Sequence, residues 1–389
     1  MLLSNGHHLA YCTNIHRGET WQETLSALEQ FTLPVRNRVC PNKPYAIGLR
    51  VSDEASRELA QPQSILHFRR WLERNNCYIF TINGFPFGKF HGERVKEKVY
   101  LPDWMSQDRL NYTNRLFDIL AQLVPHGVEG SVSTVPGSFK ELVKGPEHLR
   151  AIRANIFHCL EHIARVSAQT GRNLHLALEP EPLCLLETTN ETVLFFDRLK
   201  AENHNDARIR EHLAVNYDTC HIAVEFETPQ DAIARLRKHD VKISKIHLSS
   251  ALKLFPTAEA RAGLAAFADD TYLHQVVARG ADGRLSRHRD LNVALTSLQP
   301  AADPMSEEWR VHFHIPLHSV ATEWMDNTSD HLLGVLDILQ QDPRLCSYLE
   351  METYTWEVLP PELKSRSVVD QLVAEYEWCL AQMSARGLA

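Results

Sequence analysis

The chain has 389 residues, of which 44% are hydrophobic and 23% charged, and its formal net charge is −8. This acidic balance argues against a broad polyanion-binding surface, so no nucleic-acid partner is expected. No apolar run approaches the ~20 residues of a membrane span, and the first residues lack the pattern of a signal peptide. Eight scattered cysteines without a CxxC pair are typical of reduced thiols. We therefore expect a cytoplasmic protein without a membrane span.

Short runs rich in β-branched and aromatic residues alternate with helical patterns along the chain. In chain order the predicted strands are residues 9–15, 45–51, 77–83, 128–135, 174–180, 213–218, 243–250, 310–317 and 347–353. Apolar residues at helical spacing predict helices near 63–76, 110–123, 149–163, 190–203 and 369–380, and Thr228-Pro229 begins another. Repeated strand-then-helix order predicts a parallel sheet.

Two closures of that sheet compete, an open doubly wound sheet and a (β/α)8 TIM barrel. The chain has no GxGxxG after its first predicted strand and no P-loop, which weakens the nucleotide-binding open sheet. Polar residues fall at or just beyond the ends of seven predicted strands: Arg50, Asn83, Thr134, Glu179, Asp218, His247 and Glu352. A barrel gathers such strand ends at one mouth, where active sites lie. We therefore predict an α/β (β/α)8 TIM barrel with extended loops over its C-terminal mouth.

The domain organisation follows from the count of strands, because nine runs compete for eight barrel positions. We assign residues 310–317 to an excursion over about 251–320 that folds across the mouth, and residues 347–353 to the eighth strand. Residues 84–106 form a second long loop, and long loops in compact domains tend to be functional. No linker interrupts the chain, so a single domain over residues 1–389 is predicted.

Four of the strand-end residues form a candidate metal site: Glu179, Asp218, His247 and Glu352. Three carboxylates brought together would repel one another unless a cation neutralises them, and this donor set suits Mn²⁺, Mg²⁺, Co²⁺ or Zn²⁺. The alternative is that each residue separately caps a helix or pairs with an arginine. Glu350 lies two residues before Glu352, on the same side of the strand and one layer deeper. The sequence leaves open which of these two glutamates meets the metal.

Further residues are placed to contact a substrate or to orient the metal ligands. His221, three residues after Asp218, faces the same mouth, unless its ring is bonded to the backbone of its loop. Six more candidates stand near predicted strand ends or in the long loops: His16, His91, Glu181, His288, His314 and Trp356. The chain has 21 histidines, so any single one of them is more often a surface or packing residue. An aromatic wall is also predicted, from Trp21, Phe85, Phe87, Trp104, Tyr354 and Trp356.

Four motifs occur in strand order: Glu179-Pro180, Asp218-Thr219-Cys220-His221, His247-Leu248-Ser249 and Glu352-Thr353. They resemble the metal motifs of the xylose isomerase-like TIM barrels, a superfamily of sugar isomerases and epimerases that includes the endonuclease IV type of apurinic endonuclease. In the epimerase branch the matching residues bind one divalent ion, and the two matching glutamates act as acid and base. The resemblance implies a metal-dependent isomerase or epimerase that acts on a small polyol, sugar or related metabolite through a metal-stabilised enediolate. Barrels of this superfamily often pair, so a homodimer is compatible with it.

Two departures separate the chain from the nuclease branch. Val135 stands where that branch has a metal histidine, and Ser286 stands where its Asp-Arg-His motif has the aspartate. An endonuclease IV-like phosphodiesterase is therefore the weakest of three hypotheses.

Within the superfamily, the segments TINGFPFGKFHG, VYLPDW, TYLHQVV, VHFHIP and LEMETYTWEVLP look most like the metabolite traffic protein EboE family. That name describes a genetic context and not a reaction. The second hypothesis, after the isomerase or epimerase, is therefore a non-catalytic metabolite-handling protein with a retained metal site.

Overall fold

A computed structural model describes residues 1–89, 91, 94–297, 305, 307–360, 364 and 366–389. Within these residues the strands are, in chain order, β1 (His8–Tyr11), β2 (Tyr45–Arg50), β3 (Cys77–Asn83), β4 (Gly130–Thr134), β5 (Leu174–Leu178), β6 (Leu213–Asp218), β7 (Lys242–Leu248), β8 (Leu252–Leu254), β9 (Val276–Arg279), β10 (Leu285–His288), β11 (Glu308–Val311), β12 (Asp326–Asn327) and β13 (Tyr348–Met351). They form two sheets, one of eight strands and one of five.

The larger sheet is a nearly closed parallel barrel. Its strand order is β1-β13-β7-β6-β5-β4-β3-β2, and every neighbouring pair in it is parallel. A parallel bridge between Cys12 and Gly48 joins the end of β1 to β2 and brings the sheet back on itself. The predicted (β/α)8 barrel is therefore confirmed, and β13 is its eighth strand.

Helices connect the barrel strands and cover them from outside. The helices of the described residues are α1 (Trp21–Ala27), α2 (Leu33–Val39), α3 (Asp53–Leu59), α4 (Pro62–Arg74), α5 (Gln107–Leu123), α6 (Pro146–Thr170), α7 (Thr189–Glu202), α8 (Ala207–His212), α9 (Thr219–Val224), α10 (Pro229–Lys238), α11 (Ala258–Leu264), α12 (Leu291–Ser297), α13 (Ser329–Gln341) and α14 (Val368–Ser384). Thr188 begins α7 with a capping box to Glu191, and Thr228 caps α10 ahead of Pro229. None of these helices is long and apolar enough to cross a membrane.

The smaller sheet is antiparallel, with strand order β10-β9-β11-β8-β12. The run 310–317, which has a strand-like sequence, supplies part of β11 to this sheet and none of the barrel. Its own core contains Trp309, Val311 and Phe313. Backbone bonds tie the end of β11 to the mouth, because the Ile315 amide donates to Ser250 O over 3.0 Å. The assignment of residues 1–389 to a single domain stays a prediction.

Candidate metal centre

Four side chains from four neighbouring barrel strands converge at the mouth. Glu179 follows β5, Asp218 ends β6, His247 lies near the end of β7, and Glu352 follows β13. Each offers one ligand atom, and these atoms all lie within 4.8 Å of one another. All four residues are buried. We call this group the carboxylate cluster.

One ring nitrogen of His247 lies at the centre of the cluster. Its Nδ1 atom is 3.1 Å from Glu179 Oε1, 3.3 Å from Asp218 Oδ2 and 3.0 Å from Glu352 Oε2. Burial and Lys245 lower the pKa of His247, but the surrounding carboxylates outweigh them and raise it well above its usual value. An imidazole nitrogen that faces three carboxylate oxygens is a typical environment for a divalent ion, and a bound ion would keep the ring neutral.

Hydrogen bonds to the far oxygen of Asp218 hold this carboxylate in place. Asp218 Oδ1 accepts from the backbone amides of Cys220 and His221 at 2.7 and 3.1 Å, and from Ser249 Oγ at 2.6 Å. Asp218 thereby caps the N-terminus of α9. Because one oxygen is used in the cap, the Oδ2 atom is the one presented to the cluster.

Glu352 is held in the same way by two side-chain amides. Asn14 Nδ2 and Asn83 Nδ2 donate to Glu352 Oε1 over 2.8 and 3.2 Å. Glu352 Oε2 is then left facing His247. Asn14 follows β1 and Asn83 ends β3, so two strands besides those that carry the cluster contribute to the site.

A buried ion pair lies beneath the cluster. Glu350 Oε2 is 2.7 Å from His247 Nε2 and 2.5 Å from Lys245 Nζ, and the three side chains have no exposed surface. Burial by itself raises the pKa of Glu350, but Lys245 and His247 together outweigh it and hold that pKa at about 2. Glu350 is therefore placed to accept a hydrogen bond from Nε2–H of the ring, which leaves Nδ1 as the ligand atom for an ion. Gly48 makes room for this carboxylate, since a Cβ there would lie 1.7 Å from Glu350 Oε1.

The charges of the site fit a cation. Burial raises the pKa values of Glu179 and Asp218, but the neighbouring histidines more than offset it and lower both, so both carboxylates are ionised. Glu179 Oε2 is buried and has no hydrogen-bond partner among the described residues. An unpaired buried carboxylate oxygen is costly without a cation. Three carboxylates and one imidazole nitrogen match the donor set of a divalent metal.

A second group of three buried side chains shares Asp218 with the cluster. The ligand atoms of Asp218, His221 and His314 also lie within 4.8 Å of one another. His221 Nδ1 is 3.0 Å from Pro180 O and His314 Nδ1 is 3.0 Å from Glu352 O, so each Nδ1 atom donates to a carbonyl. Their Nε2 atoms are 3.3 Å apart. Burial lowers the pKa of His221, but Asp218 and the nearby glutamates outweigh it and raise that pKa.

The cluster opens into a pocket between the long loop after β3 and the segment before β9. The pocket is lined by Asn14, Asn83, Phe85, Pro86, Val95, Lys96, Val99, Tyr100, Glu179, Glu181, His221, Tyr272, Leu273, His312, Glu352 and Tyr354. Glu181 and His221, both predicted from sequence, therefore face the same space as Glu179 and Glu352. Of the predicted aromatic wall, Phe85 and Tyr354 line the pocket.

Glu181 belongs to a polar network that sequence analysis missed. Tyr100 OH donates to Glu181 Oε1 over 2.6 Å and accepts from Gln275 Nε2 over 2.8 Å, and Gln275 Oε1 is 2.7 Å from His312 Nδ1. Burial raises the pKa of Glu181 to about 7. The spacing of His312 and His314, two residues apart, was the one available signal. Tyr100 ends a short 3₁₀ helix and Gln275 lies in an irregular segment, and no periodicity marks either residue.

Several predicted residues lie away from this pocket. His16 Nε2 is 2.8 Å from Tyr11 OH, and the His16 ring stacks on Phe31, in an outer groove that Trp356 also lines. His288 ends the edge strand β10, and His91 is buried without lining the pocket. The other members of the predicted aromatic wall do not line the pocket either: Trp21, Phe87, Trp104 and Trp356. At the two positions of the nuclease motifs, Val135 is buried and Ser286 is exposed on β10.

Comparisons with known proteins bear on the fold. No family model and no curated protein matches the sequence. The chain is similar to an L-ribulose 3-epimerase structure, with a TM-score of 0.52 and 12% identity over 98% of this chain and 95% of the other. A xylose isomerase-like TIM barrel protein from Mycobacterium smegmatis in complex with magnesium gives 0.50 and 13%, over 98% and 97% of the two chains. D-psicose 3-epimerase with D-tagatose, from Clostridium cellulolyticum H10, gives 0.50 and 12%, over 97% and 98%. At these identities the similarity concerns architecture, and the chain has the fold of the xylose isomerase-like TIM barrels.

Proposed function

We propose that this protein is a metal-dependent isomerase or epimerase that moves a proton on a carbon next to a carbonyl group of a small polyol, sugar or related metabolite. The observation that carries the proposal is the carboxylate cluster, four buried ligand atoms within 4.8 Å of one another, of which Glu179 and Glu352 belong to side chains that line a pocket. Glu179, Asp218, His247 and Glu352 would hold the ion. When bound there, a divalent cation supplies positive charge that polarises a carbonyl oxygen and acidifies the neighbouring C–H bond.

Glu179 is positioned to remove that proton. It lines the pocket, it is ionised, and its Oε2 atom is the one without a hydrogen-bond partner in the described part of the chain. An ionised carboxylate with a free oxygen beside the substrate can act as a general base, a contribution of about 10²–10⁴-fold in rate.

Glu352 is positioned to return a proton to the substrate. It lines the same pocket from β13, and its carboxylate is held by the amides of Asn14 and Asn83. Glu179 follows β5, three strands away in the barrel order, so the two glutamates approach a substrate from different directions. Two such groups allow a proton to leave one face of a carbon and return to the other, which is epimerisation.

Metal content tests the premise. Purified without chelators, the wild-type protein should retain about one equivalent of divalent metal, and Glu179→Gln and Asp218→Asn should each retain much less. Glu375→Gln is the matched control, because Glu375 is an equally buried carboxyl group outside the cluster. Equal metal in all four proteins would contradict the assignment of the site.

Hydrogen exchange tests turnover. Hydroxyacetone and 2-hydroxyacetophenone, incubated with the metal-loaded protein in D₂O, should gain deuterium on a carbon next to the carbonyl. Glu179→Gln should slow this exchange by at least about 10²-fold. A protein that holds metal and exchanges neither compound would instead be a metabolite-handling protein. Cleavage of an abasic-site duplex is expected to be absent, and its detection would favour the phosphodiesterase hypothesis.

A further inference from the structure

The pocket has a polar part and an apolar part that come from different segments of the chain. The polar part consists of Glu179 and Glu352 of the carboxylate cluster together with Asn14, Glu181 and His312. The apolar part, which we call the apolar wall, consists of Phe85, Pro86, Val95, Val99 and Leu273. The wall comes from the loop after β3 and from the segment before β9, and neither segment contributes a residue to the cluster.

Two polar groups that line the pocket in these same segments are already hydrogen-bonded within the protein. Lys96 Nζ lies 2.7 Å from Asp290 Oδ2. Tyr100 OH donates to Glu181 over 2.6 Å and accepts from Gln275 over 2.8 Å. A substrate hydroxyl placed beside Lys96 or Tyr100 would have to break one of these bonds or stay without a partner there. Both outcomes are unfavourable in a buried site.

The unpartnered polar atoms of the pocket belong to the polar part. Glu179 Oε2, Asn14 Oδ1, Glu181 Oε2 and His312 Nε2 are buried and have no hydrogen-bond partner within the described ranges. Glu179 belongs to the cluster, and Asn14 contacts it through Glu352. Glu181 and His312 are then the two residues that can bind a further polar group of the substrate, in addition to the substrate oxygens that face the cluster.

We propose that the substrate is an α-hydroxycarbonyl compound with an apolar body, and not an open-chain sugar. Its two neighbouring oxygens face the carboxylate cluster, one further hydroxyl is bound by Glu181 and His312, and its body packs on the apolar wall. The inference rests on the proposed function, because the cluster orients the hydroxycarbonyl head group.

Three ligands with one head group test this substrate class. Hydroxyacetone is the head group with a methyl, 2-hydroxyacetophenone replaces the methyl with a phenyl ring, and L-erythrulose replaces it with two hydroxyl-bearing carbons. Calorimetric titration of the full chain, with Mn²⁺ added, should show 2-hydroxyacetophenone binding at least about ten-fold more tightly than hydroxyacetone. L-Erythrulose should bind no more tightly than hydroxyacetone. L-Erythrulose binding as tightly as 2-hydroxyacetophenone would overturn the inference, and so would equal affinities for all three.

Substitutions in the wall locate the effect. Val95→Thr with Val99→Thr keeps the side-chain shape and adds hydroxyls, so the preference for the phenyl compound should fall to about three-fold or less. Val320→Thr is the control, because Val320 is 82% exposed and outside the pocket, and it should keep the full preference. An unchanged preference in the double variant would overturn the role of the wall.

Metal content separates this inference from the proposed function. A protein that holds metal and binds hydroxyacetone, but does not prefer the phenyl compound, refutes only the substrate class. A protein that holds no metal refutes the proposed function.

Discussion

Glu350, beneath the carboxylate cluster, and Glu375, on α14, are both fully buried, yet their pKa values are shifted in opposite directions. Glu350 lies 2.5 Å from Lys245 Nζ, and its pKa is held at about 2. Glu375 accepts from Thr353 Oγ1 over 2.7 Å and from the Leu317 amide over 3.0 Å, and burial raises its pKa to about 7. The difference shows that a neighbouring cation, and not the depth of burial, decides whether a carboxyl group is ionised in this fold.

The largest expected effect comes from removing Lys245, the cation beside Glu350. Lys245→Met leaves the Glu350 carboxylate buried and unpaired, and should lower the free energy of unfolding by about 3–5 kcal/mol in urea titrations at neutral pH. Adding Glu350→Gln to this variant should restore part of the loss. A loss of under about 1 kcal/mol in the single variant would mean that His247 alone balances Glu350.

The contribution of Glu375 to stability should change with pH in the opposite direction to that of a carboxylate in an ion pair. The folded-state pKa of Glu375, about 7, lies above the ordinary value of 4.5. Its contribution to stability is therefore complete below about pH 4.5 and is lost as the pH rises through 7, because the unfolded chain releases the proton first. Relative to Glu375→Gln, the wild type should lose up to about 3 kcal/mol of unfolding free energy between about pH 5 and pH 8. A wild-type protein that gains unfolding free energy relative to Glu375→Gln as the pH rises would refute the buried neutral carboxyl.

A steric change at Gly48 tests how closely the barrel packs around Glu350. Gly48→Ala puts a methyl group 1.7 Å from Glu350 Oε1 and 2.7 Å from Tyr11 O, so something must shift. We expect a loss of about 1–3 kcal/mol in unfolding free energy, with weaker metal binding as Glu350 moves away from His247. Gly88→Ala is the matched control, since no atom lies within 4 Å of its added Cβ. Similar losses in the two variants would point to backbone flexibility and not to the clash.

The smallest effect is expected for an ion pair in water. Arg237 and Asp342 pair at the surface, with side chains 46% and 40% exposed. Arg237→Met should change the free energy of unfolding by less than about 1 kcal/mol, and salt should reduce that change further. A loss as large as that of Lys245→Met would break the distinction between buried and exposed pairs.

The sequence by itself determined the barrel and its polar mouth. Strands that are covered on both faces are apolar along their length, so a polar residue at a strand end is conspicuous. Closure of a parallel barrel then brings such ends together. This is why Glu179, Asp218, His247 and Glu352 were found, and why Glu350 was placed one layer deeper. Lys245 likewise lies two residues before His247, on the same side of its strand, so the same spacing predicts that its charge lies beside Glu350.

Only the tertiary structure decided the walls of the pocket. Tyr100, Gln275 and His312 come from segments far apart in the chain, and no periodicity links them. His16 and Trp356 each lie two residues beyond a pocket-lining residue, Asn14 and Tyr354, but they line an outer groove. Alternation along a strand dictates which side a residue faces, whereas the path of a loop depends on long-range contacts that local sequence does not encode.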